Sequence, residues 1–236
     1  MDNKNHELEC LKNVLNMIPA DLFQETDIST LTETYVTSDR VTNVPNHYNV
    51  HAYAKRNELG RLSGDVLCLI KAHLAPFKII HKEDNVKALS TKACMVISAY
   101  FNPTTKDLEI IDTLSNVFGK IQSEEAKNII LQGDFNCRID KPSCKTKAAL
   151  EFLQEEGFQL QSNDISTYMC HNGKSTVDLT FTRNMLVHNQ QVLENNNGAL
   201  IRKHRPVKMK MGRKDILDLK SRQKREDKKQ WKLHQD

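Results

Sequence analysis

Apolar positions along the chain fall into blocks of two periods. Leu8, Leu11, Val14, Leu15 and Ile18 recur at helical spacing and predict an amphipathic helix over 6–18, which Pro19 stops. Asp21-Leu-Phe-Gln-Glu-Thr26 then reads as a short strand. Residues 37–60 are polar and irregular, a loop with a weak strand near Tyr48–Tyr53. Gly60-Arg-Leu-Ser-Gly64 reads as a turn opening the apolar run Val66–Ile70. Met95-Val-Ile-Ser-Ala-Tyr-Phe101 is a buried strand by length and content, ended by Asn102-Pro103. Leu108, Ile111, Leu114, Phe118 and Ile121 form a second helical stripe. A strand over 129–134 precedes a helix over about 145–156, closed by Gly157. Phe158–Leu160, Val177–Thr182 and the alternating Val207-Lys-Met-Lys-Met211 read as further strands. Several strands follow one another with no helix between them, which favours a mixed sheet system over a purely parallel one.

The run Ile129-Ile-Leu-Gln-Gly-Asp-Phe-Asn136 carries most of the chemistry. Side chains two apart on a strand point the same way, so Asp134 and Asn136 share a face while Phe135 enters the opposite layer. Gly133 leaves room for a close approach. A carboxylate that accepts a proton, beside an amide that orients an oxygen, suits attack of water on phosphorus. A Gly-Asp strand end is as often only a turn.

Composition changes the picture little, and charge changes it more. With 236 residues, 39% hydrophobic and 27% charged, the chain is sized for one large globular domain. No apolar run approaches the ~18 residues of a membrane span, and the N-terminus lacks a secretory core, so a nuclear or cytoplasmic rather than secreted protein is expected. Six cysteines without Cys-x-x-Cys spacing indicate neither a zinc site nor a disulfide framework. Residues 202–236 hold 14 Lys/Arg against 5 Asp/Glu, whereas residues 1–201 hold 20 against 25. An acidic body with a basic stretch over 202–236, whose part 212–236 reads as a helical or disordered tail, suggests a polyanion partner, although such runs are commonly solvated faces. Residues 1–211 are expected to be the folded domain.

Five polar groups sit at the ends of predicted strands: Glu25, Tyr100, Asp134 with Asn136, Asp178 and His204. An oxygen ligand such as Glu25 suits a hard cation. Asp178 sits on an otherwise apolar strand, and burying its carboxylate unpaired would cost several kcal/mol, so a partner is implied. His204, in Lys203-His-Arg-Pro206, would serve, and a carboxylate-held imidazole fits leaving-group protonation or charge stabilisation. Taken singly, each has an ordinary explanation: a solvated turn glutamate, a core tyrosine, a capping aspartate, a surface histidine. A P-loop at Gly173-Lys174-Ser175 fails, because the glycine required five residues earlier is Tyr168.

Together, these segments resemble the endonuclease/exonuclease/phosphatase superfamily, and within it the apurinic-type endonuclease domain of non-LTR retrotransposons. Gln24-Glu25-Thr26 resembles its first metal-ligand motif, Ile97-Ser-Ala-Tyr-Phe-Asn-Pro103 its tyrosine strand, and Gly133-Asp-Phe-Asn136 its most specific element. His171-Asn-Gly-Lys-Ser-Thr-Val-Asp-Leu-Thr-Phe-Thr182 with His204-Arg-Pro206 resembles its closing motifs, and Gly60-Arg-Leu-Ser-Gly64 its Gly-Arg-x-Ser-Gly turn. The resemblance spans about residues 8–211. It implies a four-layer α/β sandwich, two mixed sheets face to face with helices outside. It also implies Mg²⁺- or Mn²⁺-dependent nicking of DNA, leaving a 3′-hydroxyl to prime a reverse transcriptase. By the same resemblance Glu25 is a metal ligand and Tyr100 a phosphate contact. Asp134 activates water, Asn136 orients it, and Asp178 holds His204 against the phosphorane.

Two departures bear on activity. The family has Ser-Asp-His before its last motif, whereas this chain has Arg202-Lys203-His204, replacing a metal-site carboxylate by an ammonium. The family also opens with a strand carrying an asparagine of the site. Here the sequence starts near the first helix, with neither Asn3 nor Asn5 a clear replacement, so the N-terminal strand is expected to be missing. Asp65 stands where a second glycine is usual. Weaker metal binding and reduced or absent activity are expected. The alternatives are a non-catalytic nucleic-acid-binding remnant, or a phosphatase or deadenylase of the same superfamily.

Overall fold

The computed structural model describes residues 20–34, 44–56, 62–63, 65–83, 85–122, 128–161, 165–171, 173–193 and 204–213. The helix expected over 6–18, Asn3 and Asn5, most of the Gly60–Gly64 turn, Lys203 and the tail beyond 213 lie outside the described residues. In chain order the first elements are α1 (Ala20–Glu25), β1 (Ile28–Thr32), β2 (His47–Ala52), β3 (Lys55–Arg56), β4 (Leu62–Ser63) and β5 (Val66–Lys71). Then come β6 (Lys78–Glu83), β7 (Val86–Ser90), β8 (Met95–Tyr100), α2 (Asp107–Gln122), β9 (Ile129–Asp134) and α3 (Cys144–Glu155). The last are β10 (Gln159–Leu160), β11 (Tyr168–Cys170), β12 (Gly173–Ser175), β13 (Asp178–Arg183), β14 (Met185–Val192) and β15 (Val207–Arg213).

Six strands form one sheet in the order β10-β13-β9-β8-β7-β6. Only β8 and β9 run parallel in it, joined by the crossover helix α2. Three strands form a second sheet, β1-β5-β2, antiparallel throughout. One described sheet is thus mixed, where two were expected. Val50, Ala52, Val66, Cys68 and Ile70 of the smaller sheet pack on Leu89 and Tyr100 of the larger. The other face of the larger sheet, with Ile97, Leu131 and Phe181, is covered by Ile110, Leu114 and Val117 of α2 and Ala149 and Leu153 of α3. The outer face of the smaller sheet meets Phe23 of α1 through Leu67 and Leu69. The order is helix, sheet, sheet, helix. Strands covered on both faces need no polar alternation, which is why β5 and β8 read as continuous apolar runs.

A polar seam runs through the layer between the sheets. Ser98 Oγ lies 2.8 Å from Thr30 Oγ1 and accepts the Cys68 thiol at 3.1 Å, while Gln132 Nε2 donates to Thr30 Oγ1 at 2.6 Å. Lys87, paired across the strands with Ser98, is fully buried beside this seam. Burial pushes its amine down to about 7, with Lys82 adding to the effect and Cys68 opposing it.

Residues 20–25 are helical, not the strand expected from their short apolar content. Proline just before them suits a helix start as well as a stop, and Phe23 gains a seat on Leu67 and Leu69. The strand of this region is β1, whose sparse pattern Ile28-Ser-Thr-Leu-Thr32 was not singled out. The stripe of α2 is rotated slightly from expectation: Ile110, Leu114, Val117, Phe118 and Ile121 are buried, while Leu108 is 68% exposed. α3 begins at Ser143, whose hydroxyl accepts the Thr146 N–H at 3.2 Å. β15 pairs with β14 in a ribbon whose first strand was not anticipated.

Candidate active site

Sheet register assembles the centre of the site. Tyr100 ends β8 and is the parallel register partner of Asp134 at the end of β9. Asp134 is the antiparallel partner of Asp178, which begins β13. Three adjacent strands therefore deliver Tyr100, Asp134 and Asp178 in one row across one end of the sheet. Gly133 makes the row possible. Its φ is +149°, and a Cβ there would lie 1.8 Å from the Ala99 carbonyl oxygen. No other residue tolerates that approach.

The strand ends at Asp134, and Asn136 turns back with a left-handed φ of 47°. Its N–H donates to Asp134 Oδ1 at 2.9 Å and its Nδ2 to Asp134 Oδ2 at 3.0 Å. The second amide proton goes to the Phe101 carbonyl at 2.9 Å, which leaves the side-chain oxygen to accept from a water or hydroxyl. Asp134 and Asn136 do meet, through a turn rather than strand alternation. Phe135 enters the helix-side core against Phe101 and Phe181.

His204 closes the group. Its Nδ1 lies 2.9 and 3.1 Å from the two carboxylate oxygens of Asp178, so this nitrogen carries the donated proton. A β-bridge to Tyr168 holds its backbone, and the Tyr168 ring meets the imidazole edge-on, centroids 5.0 Å apart. Asp134, Asp178 and His204 each offer an atom, all within 4.8 Å of one another. Burial, then the Asp178 charge, pushes the Asp134 carboxyl up to about 7, partly offset by His204. His204 moves up as well: burial works against its charge, but the Asp178 hydrogen bond and the charges of Asp178, Asp134 and Glu33 outweigh it.

Glu25 is not part of this group. It is exposed at the end of α1 and pairs with Lys208, which holds its carboxyl below the usual range. The glutamate near the row is Glu33, just past β1, with φ 53°. Tyr100 Oη donates to its Oε1 at 2.6 Å, so the hydroxyl expected to touch phosphate is engaged with a carboxylate. Asp65 builds the turn: its carbonyl accepts the Glu33 N–H at 3.2 Å, and its carboxylate takes the Thr34 hydroxyl. Thr32-Glu33-Thr34 repeats the Glu-Thr pair of Glu25-Thr26, and the β-branched run Ile28, Thr30, Thr32 ahead of it was the signal for a preceding strand.

A family model described as endonuclease-reverse transcriptase matches residues 94–208, a span holding Tyr100, Asp134, Asn136, Asp178 and His204. Among solved structures, the endonuclease domain of TRAS1, a telomere-specific non-LTR retrotransposon, covers 84% of this chain and 90% of its own, with TM-score 0.60 and 15% identity. The chain has the endonuclease/exonuclease/phosphatase fold. The 3′ phosphatase NExo from Neisseria, solved with a product DNA hairpin, shares it at TM-score 0.60 and 14% identity, over 88% of this chain and 95% of that one. The NExo 3′-5′ exonuclease from Neisseria meningitidis gives TM-score 0.60 and 14% identity over 87% and 94%. No curated protein matches the sequence. Within this fold Tyr100, Asp134, Asp178 and His204 lie at one end of the β8-β9-β13 core. No described helix is long and apolar enough to cross a membrane.

Proposed function

We propose that the chain is a DNA phosphodiester hydrolase of the retrotransposon-endonuclease kind, dependent on Mg²⁺ or Mn²⁺. The observation that carries this reading is the meeting of Asp134, Asp178 and His204 at one end of the sheet, with Asn136 bonded to Asp134. The clustering of Asp134 and Asp178, with His204 the one cationic side chain grouped with them among the described residues, supports a cation requirement. Oxygen donors of this hardness suit Mg²⁺ or Mn²⁺. Glu33 would hold it, taking the place first assigned to Glu25, with Asp134 left free to act on water. When bound, the ion supplies Lewis-acid stabilisation of phosphoryl charge.

The chain's own residues account for the rest. Asp134, in its ionised form, accepts the proton of an attacking water. The Asn136 side-chain oxygen orients that water. His204, kept protonated by Asp178, presents positive charge to the phosphoryl oxygens and a proton to the leaving oxygen. Tyr100 fixes Glu33. Lys203, in place of the family's aspartate, adds a positive charge beside His204 in sequence and keeps the rate low.

Nicking of supercoiled plasmid in Mg²⁺, Mn²⁺ and EDTA tests the proposal. Slow, EDTA-sensitive nicking is expected, faster in Lys203→Asp and reduced ~10²-fold or more in Asp134→Asn. Glu33→Gln is expected to lose activity while Glu25→Gln keeps it; the reverse result would return the metal to Glu25. If neither the natural chain nor folded Lys203→Asp nicks, yet the protein binds DNA with affinity falling steeply in salt, the chain is a binding remnant instead.

A further inference from the structure

Thr167 lies outside the proposed chemistry, yet three of its atoms make bonds that converge on it. Its side chain is buried, and its Oγ1 accepts two main-chain protons, from Val177 at 3.2 Å and Asp178 at 3.1 Å. Its carbonyl oxygen accepts the N–H of Arg205, the residue after His204, at 2.7 Å. Its own N–H donates to the Ser175 carbonyl at 3.0 Å. Asp178 and His204 lie 26 residues apart, on segments that the sheet does not pair. Arg205 Nη1 also donates to the Ser166 carbonyl at 3.3 Å, and the next residue, Tyr168, bridges His204.

We infer that Thr167 is the positioning residue of the Asp178–His204 pair, fixing the start of the strand that bears the carboxylate and the backbone that bears the imidazole. The hydroxyl sets where β13 begins, and the carbonyl sets where the His204 segment stops. The Asp178–His204 bond is then formed between two backbones already tied to one residue, with little freedom left to lose. A β-branched residue suits the task because its χ1 is stiff. The inference rests on the nuclease reading only for its effect on rate.

Two variants test it with two independent measurements. Thr167→Val keeps the shape and removes the acceptor, whereas Thr167→Ser keeps the acceptor. By NMR, the downfield Nδ1–H resonance of the His204–Asp178 bond is expected in the natural protein and in Thr167→Ser, and lost or broadened in Thr167→Val with the fold intact. In nicking assays Thr167→Val is expected to lower kcat ~10- to 100-fold with KM nearly unchanged, and Thr167→Ser to recover it to within about threefold. If Thr167→Val does not fold, Thr167→Ala, which leaves room for a water on the two amides, gives the same comparison. A folded variant without the acceptor that keeps both the resonance and kcat overturns the inference. Absence of nicking in both the natural protein and folded Lys203→Asp, with the resonance behaving as expected, overturns the nuclease reading and leaves the positioning role standing.

Discussion

Gly133 and Asp134 are adjacent and constrained in opposite ways, one by space and the other by charge. Gly133→Ala would drive a methyl into the Ala99 carbonyl at 1.8 Å, and backbone cannot move aside as a side chain can. A loss of at least about 2 kcal/mol in chemical unfolding is expected, with the Tyr100–Asp134 register disturbed. Asp134 carries a penalty of charge instead. Its folded pKa of about 7 exceeds the ordinary 3.8, so the native state holds the proton more tightly than the unfolded chain. The cost of burial is absent below about pH 4, grows between the two values and is complete above about pH 7. Asp134→Asn is therefore expected to raise the melting temperature of the metal-free protein at pH 8 and leave it nearly unchanged at pH 4. Equal gains at both pH values would refute the assignment. The pairing of Asp134 with Asn136, and of Asp178 with His204, was legible because each motif is short and ends or begins a plainly apolar strand. Glu33 was not. Two Glu-Thr pairs stand eight residues apart, and only the packing of β1 on β5 decides which glutamate reaches Tyr100.

Elements were legible where burial on both faces wrote an unbroken apolar run, as in β5, β8 and β9, or where caps marked an end, as in α3. Ser143 caps α3 through the Thr146 N–H, and Ser143→Ala is expected to cost about 1 kcal/mol in thermal or urea unfolding. A cost within about 0.5 kcal/mol of zero, the range of ordinary surface substitutions, would show that the cap contributes nothing. The type of α1 is not legible in its sequence for a physical reason. A six-residue helix is too short for its period to show, so the pattern of Leu22 and Phe23 does not separate helix from strand. The tertiary contact of Phe23 with Leu67 and Leu69 makes that choice, and it belongs to residues more than forty positions away. The edge strand β6 and its neighbour β7 do not stand out in the sequence because lysines and a histidine interrupt them. The burial of Lys87 inverts what its charge suggests in sequence.

At the scale of the molecule, Lys87 and Asp134 load the same inter-sheet region with opposite pH dependences. A lysine lowered to about 7 disfavours the native state fully below that value and not at all above about 10.5, because the unfolded chain binds its proton more readily. Lys87→Met is expected to stabilise the protein at pH 6 and to lose that advantage by pH 10, read from melting temperatures across the range; a constant gain would place the lysine in water. Adding Mg²⁺ is expected to raise the melting temperature more at pH 8 than at pH 5, since the neighbouring Asp134 carboxyl attracts the cation only once it has lost its proton. The row Tyr100, Asp134, Asp178 has a consequence for folding. These three residues are neighbours only because β8, β9 and β13 pair in one register. A slip of β9 by a single residue would turn Asp134 into the helix-side core and Phe135 toward the smaller sheet. No chain arranged that way can hold the carboxylates and the imidazole together. A preparation's capacity to bind metal is therefore also a count of its correctly threaded molecules, and refolding followed by Mg²⁺-dependent stabilisation would separate native chains from compact, mispaired ones that spectroscopy of secondary structure cannot tell apart.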